Sequence, residues 1–165
     1  MKSDYKNEFG KFNGNEADYA LRALDSETPE NKNFPWVQKL EESFSKEIGS
    51  KYAIAVNSGT SGLHAALYAA GVGPGDEVIQ PSKTVVMDSY VTMHLGAVPV
   101  FVDICSKSWN IDATKIEQKI TNKTKAIIVV SLYGLPVDID PILEIASKYN
   151  LTVIDDSAET LMTRY

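Results

Sequence analysis

Five short apolar runs, four of them followed by a stretch of helical periodicity, leave this chain few folds to choose from. The runs are YAIAV (52–56), EVIQ (77–80), VPVFVD (98–103), AIIVV (126–130) and LTVIDD (151–156). Most are continuously apolar and rich in β-branched residues, as strands are when both faces of a parallel sheet are covered. Helical spacing predicts helices over 60–70, 85–95, 112–119 and 138–149. The fold class is therefore α/β, a three-layer α/β/α arrangement with a parallel sheet in the middle.

Upstream of the first run the pattern changes. Residues 1–33 are polar and broken by Gly10, Gly14 and Pro29, with room for a short helix over 16–24. From Pro35, PWVQKLEESFSKEIG sets Val37, Leu40, Phe44 and Ile48 at helical spacing, and Gly49 follows its end. The expected organisation is a polar N-terminal segment, 1–33, followed by one α/β domain, 34–165.

Ligands of open parallel sheets bind at the carboxyl ends of the strands. Here that rule selects the loops 57–62, 81–85 and 155–159. In the first, NSGTSG joins a strand to a helix. Gly59 and Gly62 allow close backbone approach, and Ser58, Thr60 and Ser61 bring hydroxyls to a helix start whose free amides attract phosphate. An ordinary Ser/Thr N-cap would look the same. No Lys-Ser/Thr pair follows the glycines, so the loop is not a P-loop. GVGPGD (71–76) precedes a strand instead of following one, which is the wrong place for a dinucleotide fingerprint. His64 and His94 have no metal-ligand partner at useful spacing and read as structural.

The third loop begins with Asp155 and Asp156. A carboxylate there can hold a metal, accept a phosphoryl group or pair with a cationic ring nitrogen. The last needs a phosphate anchor on the same sheet edge, which the serine-rich loop supplies. Asp155 reads better as a turn cap. Composition narrows the partners further. A formal charge of −6 argues against nucleic acid and anionic membranes. The single cysteine, Cys105, gives no disulfide framework. With a polar N-terminus and no membrane-length apolar run, the expected location is the cytoplasm.

NSGTSGLHAALYAAGVGPGDEVIQPSKT, GAVPVFVDI, TNKTKAIIVVSLYGLPVDIDPI and VIDDSAE together resemble the DegT/DnrJ/EryC1/StrS family of pyridoxal-phosphate-dependent nucleotide-sugar aminotransferases. The closing DSAETLMTRY is most similar to the perosamine-synthase type of sugar 4-aminotransferase. The resemblance implies the fold type I large domain, pyridoxal 5'-phosphate as cofactor, a nucleotide-linked keto sugar and an amino-acid donor, glutamate, as substrates, and a homodimer. It implies that Ser58, Gly59, Thr60 and Ser61 hold the cofactor phosphate, that Asp156 pairs with the pyridine nitrogen, and that Glu159 and Val85 neighbour the ring. Val85 stands where the family commonly has a stacking aromatic ring, and Ser131 where it often has histidine.

The resemblance also places the Schiff-base lysine further along the chain than Asp156. Nine residues follow Asp156 here and none is a lysine. Lys83 has no catalytic role in the family pattern. The expectation is the N-terminal part of a longer enzyme, truncated before that lysine and without the small C-terminal domain, with no catalytic residue of its own. The family sheet has further strands between the runs at 52–56 and 151–156, so a gap or an altered pairing is expected there. The other reading is a non-catalytic module that binds pyridoxal phosphate or a nucleotide sugar without turnover. Metal-dependent phosphotransfer through Asp155 and Asp156 is a third and weaker one.

Overall fold

The structure is a computed structural model that describes residues 14–26, 35–163 and 165. The chain forms two compact units, Met1–Ala55 and Val56–Tyr165. The expected division at 33/34 lies outside the described residues.

The first unit holds two helices, α1 (Glu16–Ser26) and α2 (Pro35–Ile48). Tyr19 and Trp36 tie them together, ring centroids 5.8 Å apart, and the Trp36 indole donates to Ser26 Oγ at 2.9 Å. Beyond α2 the backbone turns at Gly49 (φ 76°), and the Ala55 amide donates to Glu41 Oε1 at 2.8 Å.

The second unit contains the sheet. In chain order it runs α3 (Gly59–Ala69), β1 (Glu77–Pro81), α4 (Met87–His94), β2 (Val98–Val102), β3 (Thr124–Val130), α5 (Asp140–Tyr149) and β4 (Thr152–Asp156). The strands lie in the order β2-β1-β3-β4, and all three pairings are parallel. Central β3 is buried at every residue except Lys125, as its unbroken apolar sequence requires.

Strand alternation divides the core in two. Val78, Ala126, Ile128, Val130 and Ile154 point to one face, where Leu63 and Leu67 of α3 and Val91 of α4 cover them. Ile79, Val102, Ile127 and Val129 point to the other, under Ile116 and under Ile142 and Ala146 of α5. These are the three expected layers. At one corner Gly96 (φ 75°) lets the chain turn from α4 into β2. A Cβ there would lie 3.2 Å from the Pro74 ring, so glycine is required by both conformation and space.

Two expected elements are corrected. The run at 52–56 is no strand: it pairs with nothing among the described residues, and Tyr52 and Ile54 are 72% and 80% exposed. β-Branched composition favours extended backbone, but a lone strand gains no ladder hydrogen bonds. The helix expected over 112–119 is instead two 3₁₀ turns, Ala113–Lys115 and Glu117–Lys119. Asp112 caps the first by accepting from the Thr114 amide, and buried Ile116 joins the two. Pinning Ile116 in the core fixes so short a segment in the tighter i→i+3 pattern. The remaining helices lie within two residues of expectation at each end.

Candidate active site

The Asn57–Gly62 loop ends at the start of α3, with Ser58 as N-cap in extended backbone (φ −162°, ψ 159°). Its Oγ accepts from the Ser61 amide at 3.2 Å, and Ser61 Oγ donates to Asn57 Oδ1 at 2.6 Å. The amides of Gly59 and Thr60 have no acceptor within a helix that starts there. A Cβ built on Gly59 would meet nothing within 4 Å, so this turn faces open space. The N-cap and phosphate readings are thus compatible: Ser58 and Ser61 satisfy one amide and leave two for a ligand. Ser58→Ala should cost about 1 kcal/mol of stability through the lost cap, measurable by chemical unfolding. A cost below about 0.3 kcal/mol would show that the cap is not holding the turn.

At the end of β4, the carboxylates diverge. Ile154 joins the core cluster under α3 and α4, so Asp156 points to that face and Asp155 to the opposite one. Asp156 Oδ1 accepts from the Ala158 amide at 3.1 Å, and its carbonyl accepts from the Ser131 amide at 3.3 Å. Asp155 Oδ2 accepts the Ser157 hydroxyl at 2.8 Å. A cavity of about 220 Å³, lined by Gly59, Gly62, Leu63, Ala66, Ile154, Asp155 and Asp156, joins the first turns of α3 to the end of β4. Of the residues expected to hold a phosphate, Gly59 therefore shares a cavity with Asp156, the residue expected to hold a ring nitrogen, at the carboxyl edge of the sheet.

The other expected residues lie around it. Thr60 and Ser61 line an adjoining groove of about 600 Å³ with His64, Tyr68, Tyr90 and His94. The imidazoles of His64 and His94 meet edge to face, 6.1 Å apart. Val85 stands just before α4, 46% exposed, and lines neither cavity. Glu159 lines neither as well; its Oε2 accepts from the Tyr133 amide at 2.7 Å. Ser131 faces inward, its Oγ accepting from the Val137 amide at 3.1 Å. Lys83 lies over the Trp109 ring, 3.3 Å from its centroid, and 5.3 Å from that of Tyr133. Among the described residues no group of three His, Cys, Asp or Glu side chains is placed to hold a metal.

Sequence reasoning passed over three buried polar residues. Asn110, 3% exposed, donates from Nδ2 to the Leu135 and Pro136 carbonyls at 3.0 and 3.2 Å. Its Oδ1 accepts from the Leu132 amide at 3.1 Å. Gln80 and Asp88 are both fully buried, and neither Gln80 Oε1 nor Asp88 Oδ1 has a hydrogen-bond partner. Their signal was present: Gln80 ends an apolar strand, and Asp88 shares a helical stripe with buried Val91 and Thr92. Burial raises the Asp88 carboxyl to about 6, with the Thr84 hydroxyl opposing and the negative charge of Asp156 adding to the rise.

This fold is shared with aminotransferases of known structure. The chain is a member of the DegT/DnrJ/EryC1/StrS aminotransferase family, whose pattern matches residues 12–165. It is 45% identical over 155 residues to the GDP-perosamine synthase of Caulobacter vibrioides, covering 94% of this chain and 42% of that protein. It is 46% identical over 131 residues to the UDP-2-acetamido-2-deoxy-3-oxo-D-glucuronate aminotransferase of Pseudomonas aeruginosa, covering 79% of this chain and 36% of that one. Among solved structures, NtdA of Bacillus subtilis, with bound cofactor PMP, superposes with a TM-score of 0.80 at 36% identity, covering 87% of this chain and 34% of that one. The chain thus spans well under half the length of the curated relatives it matches.

Proposed function

We propose that this chain carries the cofactor cradle of a pyridoxal-phosphate-dependent aminotransferase that moves an amino group from an amino acid, glutamate, to a nucleotide-linked keto sugar in deoxyamino-sugar biosynthesis. One observation carries the reading: Gly59, whose amide has no acceptor within α3, and Asp156, at the end of β4, line the same cavity. The residues fit the group. Gly59 and Thr60 amides, with the Ser58 and Ser61 hydroxyls, would hold the phosphate dianion, aided by the helix dipole. Asp156 would hold a proton on the ring nitrogen through a charge-assisted hydrogen bond. Pyridoxal phosphate, once bound, supplies an electron sink for the amine carbon. Val85 would add apolar contact only, and Glu159 would approach the ring while its other oxygen keeps the Tyr133 amide. Tyr68 and Tyr90, 72% and 47% exposed beside the large groove, support a homo-oligomer as part of this reading. A cytoplasmic location also belongs to it; no helix among the described residues is long and apolar enough to cross a membrane.

Binding without turnover is the second reading. It is favoured by the packing of Lys83 over Trp109, off the cavity. Pyridoxamine phosphate isolates the cradle, because it has no aldehyde to react with a lysine. Titration calorimetry should show it binding, with inorganic phosphate competing. No binding at millimolar concentration, or no competition, would overturn the assignment of the α3 turn as phosphate site. Borohydride trapping after pyridoxal phosphate then separates the readings: labelling of a lysine supports turnover chemistry, and no labelling supports binding alone.

A further inference from the structure

Three loops at the carboxyl edge of the sheet converge on a charged aromatic cluster outside the cofactor cradle. Lys83 follows β1, Trp109 follows β2 and Tyr133 follows β3. The Lys83 ammonium lies 3.3 Å from the centroid of the Trp109 ring and 5.3 Å from that of Tyr133. Both rings stay open to solvent, Trp109 at 48% and Tyr133 at 70% exposed. Among the described residues Lys83 takes part in no ion pair, whereas Lys115 holds Asp103 and Lys148 holds Glu117.

The backbone around this cluster is held in an unusual shape. Trp109 and Tyr133 both have positive φ, 65° and 55°, a region that bulky side chains seldom adopt. Such a conformation persists where neighbouring bonds over-determine it, and it collects at ligand sites. The Trp109 amide donates to the Cys105 carbonyl at 2.8 Å, and a bridge between Ile104 and Ile111 closes that loop. The Tyr133 amide donates to Glu159 Oε2 at 2.7 Å. Asn110 is the strut between the two loops. It follows Trp109 in the chain, and its Oδ1 accepts from the amide of Leu132, beside Tyr133, at 3.1 Å. The two rings are therefore positioned by bonds that do not depend on the rings themselves.

The chemistry narrows the occupant. An ammonium already over the aromatic rings repels a second cation, so the cluster is not a cage for one. It offers a positive charge without a carboxylate partner, next to an exposed ring, in a chain whose formal charge is −6. A ligand with an anionic end and a flat aromatic end matches both parts. We propose that Lys83, Trp109 and Tyr133 form a subsite for the nucleoside diphosphate of the sugar substrate: Lys83, held in place by Trp109, pairs with the diphosphate, and the base stacks on Tyr133. The subsite rests on the sugar-nucleotide part of the reading above. Glu159 ties Tyr133 to the loop that follows Asp156, so the subsite and the cradle share one frame.

GDP added to the full chain tests this, read by titration calorimetry and by the indole N–H signals of its two tryptophans. Binding should shift the Trp109 signal and leave that of Trp36, which belongs to the other compact unit, in place. Tyr133→Ala should weaken GDP binding roughly 5- to 150-fold, the range for loss of one base–aromatic stack, and Tyr133→Phe by less than about threefold. Lys83→Met should weaken it roughly fivefold, the upper range for an exposed ion pair, and flatten its salt dependence, with Lys83→Arg restoring both. Pyridoxamine phosphate affinity should change by less than about twofold in Lys83→Met, as for sites without shared partners. No GDP binding at millimolar concentration, a shift confined to Trp36, or unchanged affinity in either Lys83→Met or Tyr133→Ala would each overturn the subsite. Should Tyr133→Ala fail to fold, Lys83→Met decides alone, because Lys83 holds no ion pair for the fold to lose. Pyridoxamine phosphate binding without GDP binding refutes the subsite and leaves the cradle standing. GDP binding at Trp109 without pyridoxamine phosphate binding refutes the cradle and leaves the subsite standing.

Discussion

Asp156→Asn is expected to weaken pyridoxamine phosphate binding by roughly 10- to 150-fold, while Asp155→Asn changes it by less than about threefold. The first figure is the cost of losing a charged hydrogen-bond partner, about 1.5–3 kcal/mol. An asparagine at 156 can still accept from the Ala158 amide, so the fold should survive and the loss should fall on the ligand. Asp155 turns the other way and is occupied by the Ser157 hydroxyl. It lines a separate cavity of about 120 Å³ with Ser131, Val137 and Tyr165, as well as the edge of the cradle. Calorimetry on both variants at one pH decides the matter. Equal losses would mean that the strand does not distinguish the two carboxylates, and the assignment of Asp156 would fail.

The largest stability effect should come from Asn110→Ala. Its amide side chain makes three hydrogen bonds to the backbone after β3, spanning Leu132 to Pro136. Alanine leaves the Leu132 amide and two carbonyls to find other partners in a buried place. The expected cost is about 2–4 kcal/mol, or roughly 5–15 °C in melting temperature for a chain of this size. The same segment carries Tyr133 at φ 55°, a conformation unfavourable for a bulky residue, whose amide is the donor to Glu159. Slackening the loop should therefore also free Glu159. A melting temperature within about 2 °C of wild type would show that the loop is held by its own turn and not by Asn110.

The sheet and its two helical layers were legible because burial writes itself into the central strands β1 and β3 as apolar runs, and the edge strands β2 and β4 keep a similar composition although half-exposed. The run at 52–56 has the same composition and forms no strand, since composition records what a segment suits and not whether a partner is beside it. The position of Asp156 was legible from the carboxyl-edge rule, and its separation from Asp155 follows from period-two alternation. Asp88 and Gln80 were not. Each sits in an apolar context as an ordinary-looking polar residue, and only the packing of α4 on β1 shows that both are buried and short of donors. The Lys83–Trp109–Tyr133 cluster was equally hidden: three loops that follow three different strands converge on it.

β4 pairs with β3 alone among the described strands, through five residue pairs from Ala126↔Thr152 to Val130↔Asp156. Sliding β4 by one residue would preserve its composition and most of its hydrogen bonding, yet it would exchange the faces of its side chains. Asp155 would then look toward α3, and Asp156 toward α5. Which aspartate faces α3 is thus a property of strand register, specified by Ile154 on one face and Val153 on the other. Those two apolar side chains, which present no polar group themselves, decide which carboxylate is turned toward the α3 side.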